Sequence, residues 1–150
     1  MLPTMRLLLP TDFSEASGRG VAAGGELARA RGASVTLVHV WDPAAAGAPP
    51  ATLGWSRDKQ EHLVAEIRAH LLARLDDERE RVPRGVPVEL ALLEDASPAR
   101  AITRLAADEG YDLVVIATHG RTGPLRALLG SVAEKVVRLA RGPVLTIPTR

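Results

Sequence analysis

Residues Asp112–Pro148 read DLVVIATHGRTGPLRALLGSVAEKVVRLARGPVLTIP. The opening run, Asp112–Ala117, is apolar throughout rather than alternating, which is how a strand buried on both faces reads. The closing run, Pro143–Pro148, is a second short apolar strand. Between them Val132, Val136, Leu139 and Ala140 recur at helical spacing, and the sequence RGP at Arg141–Pro143 stops that helix. Strand, helix, strand in this order is the unit from which parallel α/β sheets are built.

The same alternation extends back to the start of the chain. RLLLPT (Arg6–Thr11), SVTLVHV (Ser34–Val40) and PVELALL (Pro87–Leu93) read as strands. Ala16, Gly20, Ala23, Leu27 and Ala30 mark a first helix, and Leu63, Ile67, Leu71 and Leu75 a second. Ile102, Leu105 and Ala106 mark a third, which Ser97 can cap with Pro98 in its first turn. Five strands alternating with four helices predict an open, mostly parallel α/β sheet over one domain, residues 1–150. Pro43–Gly54 has the Pro, Gly and small-residue composition of a loop, either a lid or a surface insertion. Arg57–Arg84 carries seven bases and seven acids, the pattern of a solvated helix face.

Composition narrows the function. A 150-residue chain buries about 70% of its unfolded surface, enough for a core without staples. The absence of cysteine excludes disulfides, thiolate metal sites and a cysteine nucleophile. The start lacks a signal-peptide pattern and no run is long enough to span a membrane, so a soluble, cytoplasmic protein is expected. Net charge is +1, yet from Thr118 onward Arg121, Arg126, Lys135, Arg138, Arg141 and Arg150 face Glu134 alone. A basic end suits an anionic small ligand. With so few aromatic residues to stack bases, nucleic acid is a poor fit.

In open parallel sheets ligands sit beyond the carboxyl ends of the strands, where the strand order reverses. The fourth strand releases Gly120 and Gly123 there, and Gly130-Ser131 then opens a helix. Glycine permits close backbone approach, and a helix start offers unpaired N–H groups and partial positive charge for phosphate. Arg121 and Arg126 add fixed charge. SVAE (Ser131–Glu134) also reads as a capping box, with Ser131 capping and Glu134 reaching back; the two roles are compatible. No GK dipeptide exists, so there is no P-loop. GRGVAA (Gly18–Ala23) has dinucleotide-fingerprint spacing, but six residues separate it from the strand and its glycines fall inside the first helix.

PTDFSEAS (Pro10–Ser17), VTLVHV (Val35–Val40) and ATHGRTGPLRALLGSVAEKVVRLARGPVLTIP (Ala117–Pro148) resemble the universal stress protein family, over essentially the whole chain. Nucleotide-binding members carry G-x2-G-x9-G-S/T; here the pattern is A-x2-G-x9-G-S, with Ala117 in the first glycine's place. A strand-end residue with negative φ would tolerate that alanine. The resemblance implies a Rossmann-like sheet of order 3-2-1-4-5 with helices on both faces. It implies that Pro10, Thr11 and Asp12 meet the adenine and ribose end, and that the Val40 backbone contacts adenine. It further implies that Ala117, His119, Gly120 and Arg121 line the ribose and phosphates, and that Gly130, Ser131 and Val132 grip the phosphates. ATP, or ADP or AMP, is the implied ligand, with Mg2+ accompanying the triphosphate and no protein ligand for the metal assigned.

The expected role is a dimeric binding and signalling module in stress response, with turnover slow or absent. The alternatives are a nucleotide-independent adaptor of the same family and a slow ATPase. Homodimerisation through strand 143–148 is expected because an apolar last strand between two prolines reads as a sheet edge. Other candidates have ordinary explanations beside the functional ones. Asp12 or Ser14 can cap the first helix, His119 is a ligand contact or a turn residue, and His39 is a satisfied histidine inside a strand. His62, Glu66 and His70 share a solvated helix stripe, Trp41 and Trp55 flank the loop, and Asp95 serves a helix start. No G-x-S-x-G, H-E-x-x-H or paired-carboxylate signature is present.

Overall fold

A computed structural model describes residues 4–45, 54–118 and 130–148. The strands are β1 (Arg6–Pro10), β2 (Ser34–Trp41), β3 (Val88–Glu94), β4 (Leu113–Thr118) and β5 (Val144–Pro148). The helices are α1 (Glu15–Arg31), α2 (Arg57–Glu78), α3 (Pro98–Asp108) and α4 (Ser131–Leu139). All pairings are parallel and the sheet order is β3-β2-β1-β4-β5. The expected alternation and order therefore hold, with strand ends displaced by about a residue. No helix among the described residues is long and apolar enough to cross a membrane.

The continuous apolar runs are explained by helices on both faces. In β1, Leu7, Leu8 and Leu9 are all fully buried, each contributing about 1.5–3 kcal/mol of burial. Leu7 and Leu9 join Val35, Leu37, Val115, Val21 of α1 and Leu75 of α2 in one core. Leu8 points the other way, with Val38, Val114 and Ile116, into a second core against Ile102 of α3 and Val136 of α4. Strand periodicity of two makes this division unavoidable.

Of the four glycines of α1, Gly20 and Gly24 pack closely on the sheet. A Cβ at Gly24 would lie 2.5 Å from Leu9 Cδ2, and one at Gly20 would lie 2.9 Å from Ala117 Cβ and 3.0 Å from its backbone N. Helix-interior glycine costs about 1 kcal/mol relative to alanine, offset here by drawing α1 down onto β1 and β4. The tempting dinucleotide spacing at Gly18–Ala23 is thus a packing face inside α1. By contrast α2 is mostly exposed: Arg57 pairs with Glu61 at 3.4 Å and His62 with Glu66 at 3.3 Å, all solvated, as its balanced charge suggests.

The sheet opens where the chain reverses direction. The chain leaves β1 through α1 on one face and reaches β4 through α3 on the other. β1 is registered with β2 along all five residues, but with β4 only at Leu7↔Leu113 and Leu8↔Val114. Beyond Leu8 the two strands share no further register, and Pro10 has no N–H to offer. A crevice results at the carboxyl ends, the place where such sheets bind ligands.

Candidate nucleotide site at the β1–β4 crevice

The crevice holds a cavity of about 110 Å3, walled mainly by apolar side chains. The β1 end contributes Pro10, Thr11 and Asp12; β2 contributes Val38, His39 and Val40; β4 contributes Ile116 and Ala117. Pro98 and Ile102 of α3 and Val132 and Ala133 of α4 close the other side. Six residues expected from the sequence, Pro10, Thr11, Asp12, Val40, Ala117 and Val132, therefore line one hollow. Gly130 and Ser131 stand at the head of α4, immediately before Val132. His119, Gly120 and Arg121 lie outside the described residues, as do Arg126 and residues 46–53 of the loop after β2. The lining residues Val38, His39, Pro98 and Ile102 were not expected as site residues.

The loop after β1 is held by its own hydrogen bonds. Thr11 N–H donates to the Val38 carbonyl at 2.9 Å, and the Thr11 carbonyl accepts from His39 Nδ1 at 2.8 Å. Asp12 N–H reaches Ser17 Oγ at 3.3 Å, and Phe13 N–H reaches Thr11 Oγ1 at 3.1 Å. Asp12 Oδ1 accepts from Ser14 N–H at 2.9 Å, while Ser14 is the N-cap, its Oγ accepting from Ser17 N–H at 3.1 Å. Of the two residues expected as the cap, Ser14 is the N-cap; Asp12 does not cap α1 but holds the N–H of the cap residue. Because this loop's amides are occupied, its contribution to a ligand is shape and the Asp12 side chain rather than free N–H groups.

The head of α4 is built the opposite way. Gly130 is the N-cap, with φ −55° and ψ 155°, and among the described residues no side-chain hydrogen bond caps the helix. The expected capping box is corrected here: Ser131 is the first helical residue, one position too late to cap. The first helical hydrogen bond runs from Glu134 N–H to the Gly130 carbonyl at 2.8 Å. The N–H groups of Ser131, Val132 and Ala133 precede that ladder, and such groups bind anions together with the helix dipole. Val132 and Ala133 meanwhile line the cavity, so the head of α4 borders the same hollow.

Ala117 lies within β4, and among the described residues Phe13 is the only non-glycine with positive φ. A glycine is not demanded at position 117. Its methyl is turned to Gly20 of α1, the face it shares with Val115.

Burial holds the His39 imidazole below the usual histidine range; the Thr11 carbonyl and Asp12 oppose this, and Arg74 adds to it. A neutral ring donating to a carbonyl carries its proton on Nδ1. Asp95 accepts from Ser97 N–H at 2.8 Å and pairs with Arg104 at 3.1 Å, the helix-start role read from sequence. Trp41 and Trp55 line no part of the cavity. No three His, Cys, Asp or Glu side chains among the described residues are grouped to hold a metal.

The sequence matches the universal stress protein family over residues 3–148. A universal stress protein of Thermus aquaticus is 34% identical over 143 residues, 94% of this chain and 96% of that relative. Among solved structures, protein MJ0577 of Methanocaldococcus jannaschii aligns over 99% of both chains with a TM-score of 0.73 at 23% identity. A universal stress protein in complex with cAMP aligns over 98% of both, with a TM-score of 0.67 at 24% identity. The family match over residues 3–148 and a relative 34% identical along nearly the full length of both chains make this chain a member of the universal stress protein family.

Proposed function

We propose that the crevice binds an adenine nucleotide, with ATP favoured and ADP or AMP admitted, and that the protein acts as a nucleotide-dependent signalling module. The observation that carries this is one cavity with two unlike ends. A flat apolar base fits between Val38, Val40 and Ile102, while phosphates fit the unladdered N–H groups at the head of α4. The cAMP complex of a structural neighbour supports an adenine nucleotide as the ligand class. Mg2+ would arrive with the triphosphate and be held chiefly by phosphate oxygens. In this reading turnover is slow or absent, as the sequence carries no G-x-S-x-G, H-E-x-x-H or P-loop lysine signature of a hydrolytic site. Nucleotide occupancy would instead bias conformations that partners distinguish.

Calorimetric titration of ATP with magnesium tests the reading. Saturable binding at or below millimolar Kd is expected, with cAMP and ADP as competitors; no heat and no competition at millimolar ATP would reject it. The adaptor alternative drew on Ala117, and that support weakens because the methyl faces Gly20. Self-association through β5 belongs to the same proposal. β5 ends the sheet, and Leu145, Val137 and Leu139 are exposed on and beside it, an edge that natural sheets cover. Light scattering should give twice the chain mass at micromolar concentration; a monomer there refutes this part alone.

A further inference from the structure

Phe13 follows Asp12, yet it faces the opposite side of the sheet. Asp12 lines the crevice, whereas Phe13 packs against the α1/α2 core. The backbone makes this reversal with φ 65° at Phe13, a left-handed conformation that is costly for a residue with a Cβ and persists only where its surroundings enforce it. The surroundings are specific. The Phe13 ring lies 4.3 Å from the His39 ring, tilted by 39°. On the ring's other contact, Arg74 Cζ of α2 sits 4.3 Å from its centroid. His39 in turn donates to the Thr11 carbonyl, so a chain of contacts joins α2 to Thr11, the residue before Asp12 in the crevice wall.

We propose that Phe13 and Arg74 are positioning residues for the nucleotide site, the ring in contact with both the Arg74 guanidinium and the His39 imidazole setting the conformation of Thr11 and Asp12. This rests on the crevice being a nucleotide site. The charged groups facing the stack are Asp12 from the β1 loop and Arg74 from α2. A cation over an aromatic face is attractive, while a second cation on His39 would oppose Arg74. Helix α2 therefore has a physical route to the ligand: moving Arg74 releases the ring, and the strained Phe13 backbone can then relax.

The test compares the wild-type chain with Phe13→Leu, Arg74→Met and Phe13→Tyr. The first two remove the aromatic face or the cation while keeping apolar bulk, and the third keeps the stack. Magnesium-ATP affinity is measured by calorimetry, and amide hydrogen exchange is followed without ligand. Phe13→Leu and Arg74→Met should each weaken ATP by about three- to tenfold, the range that aromatic and cation–π contacts are worth. They should also speed exchange at residues 11–14 while the β1–β2 ladder stays protected, and Phe13→Tyr should restore both. Unchanged exchange at residues 11–14, exchange rising evenly across the sheet, or unchanged affinity despite a loosened loop each overturns the proposal. If the wild type binds no ATP, the nucleotide reading fails, while the exchange measurement still decides whether the stack sets the loop.

Discussion

Replacing Gly20 by alanine tests whether Ala117 is accommodated by α1. In an ordinary helix interior the change stabilises by about 1 kcal/mol, because alanine loses less backbone entropy. Here the new Cβ would stand 2.9 Å from Ala117 Cβ, 3.0 Å from its N and 3.3 Å from its Cα. Two of these three atoms are main chain of a central strand, so α1 itself must shift. Overpacking of that kind costs about 1–3 kcal/mol, leaving a net loss of about 1 kcal/mol and a Tm lower by roughly 2–4 °C for a chain of this size. Ala117→Gly removes the tightest contact, so the double variant should recover part of the loss, with a coupling of about 0.5–1 kcal/mol in a double-mutant cycle. Ala117→Gly alone should leave ATP affinity within about twofold, since the methyl faces α1 rather than the ligand. Denaturant and thermal unfolding measure the first part and calorimetry the second. A Gly20→Ala protein more stable than wild type, or additive single and double variants, would refute the pairing.

Other consequences follow from the same geometry. His39 has its folded-state pKa lowered, chiefly by burial, so between the folded and unfolded values the unfolded chain binds the extra proton. Stability is then full above the ordinary histidine value of about 6.5 and declines as pH falls below it. His39→Gln should flatten that limb in urea titrations from pH 8 to 5, and an unchanged slope would assign the decline to other groups. Gly130→Ala should keep Tm within a few degrees, because φ −55° suits any residue and glycine-to-alanine at a cap is a modest change. The same variant should weaken ATP about tenfold or more by obstructing the helix head; a full-affinity variant would remove the phosphate role from that turn. Leu8→Ala, at a fully buried site between α3 and α4, should cost about 2–5 kcal/mol with the denaturant slope unchanged.

Much of this was legible in the chain because its signals are local and repeated. Unbroken apolar runs such as Leu7–Leu9 and Leu113–Ile116 identify strands covered on both faces. Gly130 and the α4 pattern locate a helix head after a strand, which puts the proposed phosphate site at the carboxyl end of the sheet. The capping box at Ser131 misread the register by one residue, since S-x-x-E signals a cap only if the serine precedes the first helical turn. His39, Phe13 and Ile102 were illegible for another reason. Each reaches the crevice or its support through contacts between elements distant in sequence, and period-two or period-3.6 patterns mark them only as interior positions. The Phe13 strain carries no sequence signal either: positive φ suggests glycine or asparagine, and here a stack imposes it on phenylalanine.

If the crevice is the nucleotide site proposed above, its two ends would divide the work of binding, because their hydrogen bonding differs. The β1 loop has spent its amides internally, on Val38, Ser17, Thr11 and Asp12, so it arrives pre-shaped and a ligand orders little of it. Preorganisation of this kind raises affinity by lowering what binding must freeze. The α4 head has three N–H groups ahead of its ladder, an arrangement that an anion would make favourable. A ligand with only an apolar ring would gain the first end and leave the second unchanged; an inorganic phosphate would gain the second and leave the slot empty. Adenosine and phosphate should therefore each bind far more weakly than AMP, because joining them makes the second contact intramolecular. Titrating adenosine, phosphate and AMP in parallel measures this, and an AMP affinity no better than that of adenosine would show that the α4 head takes no part.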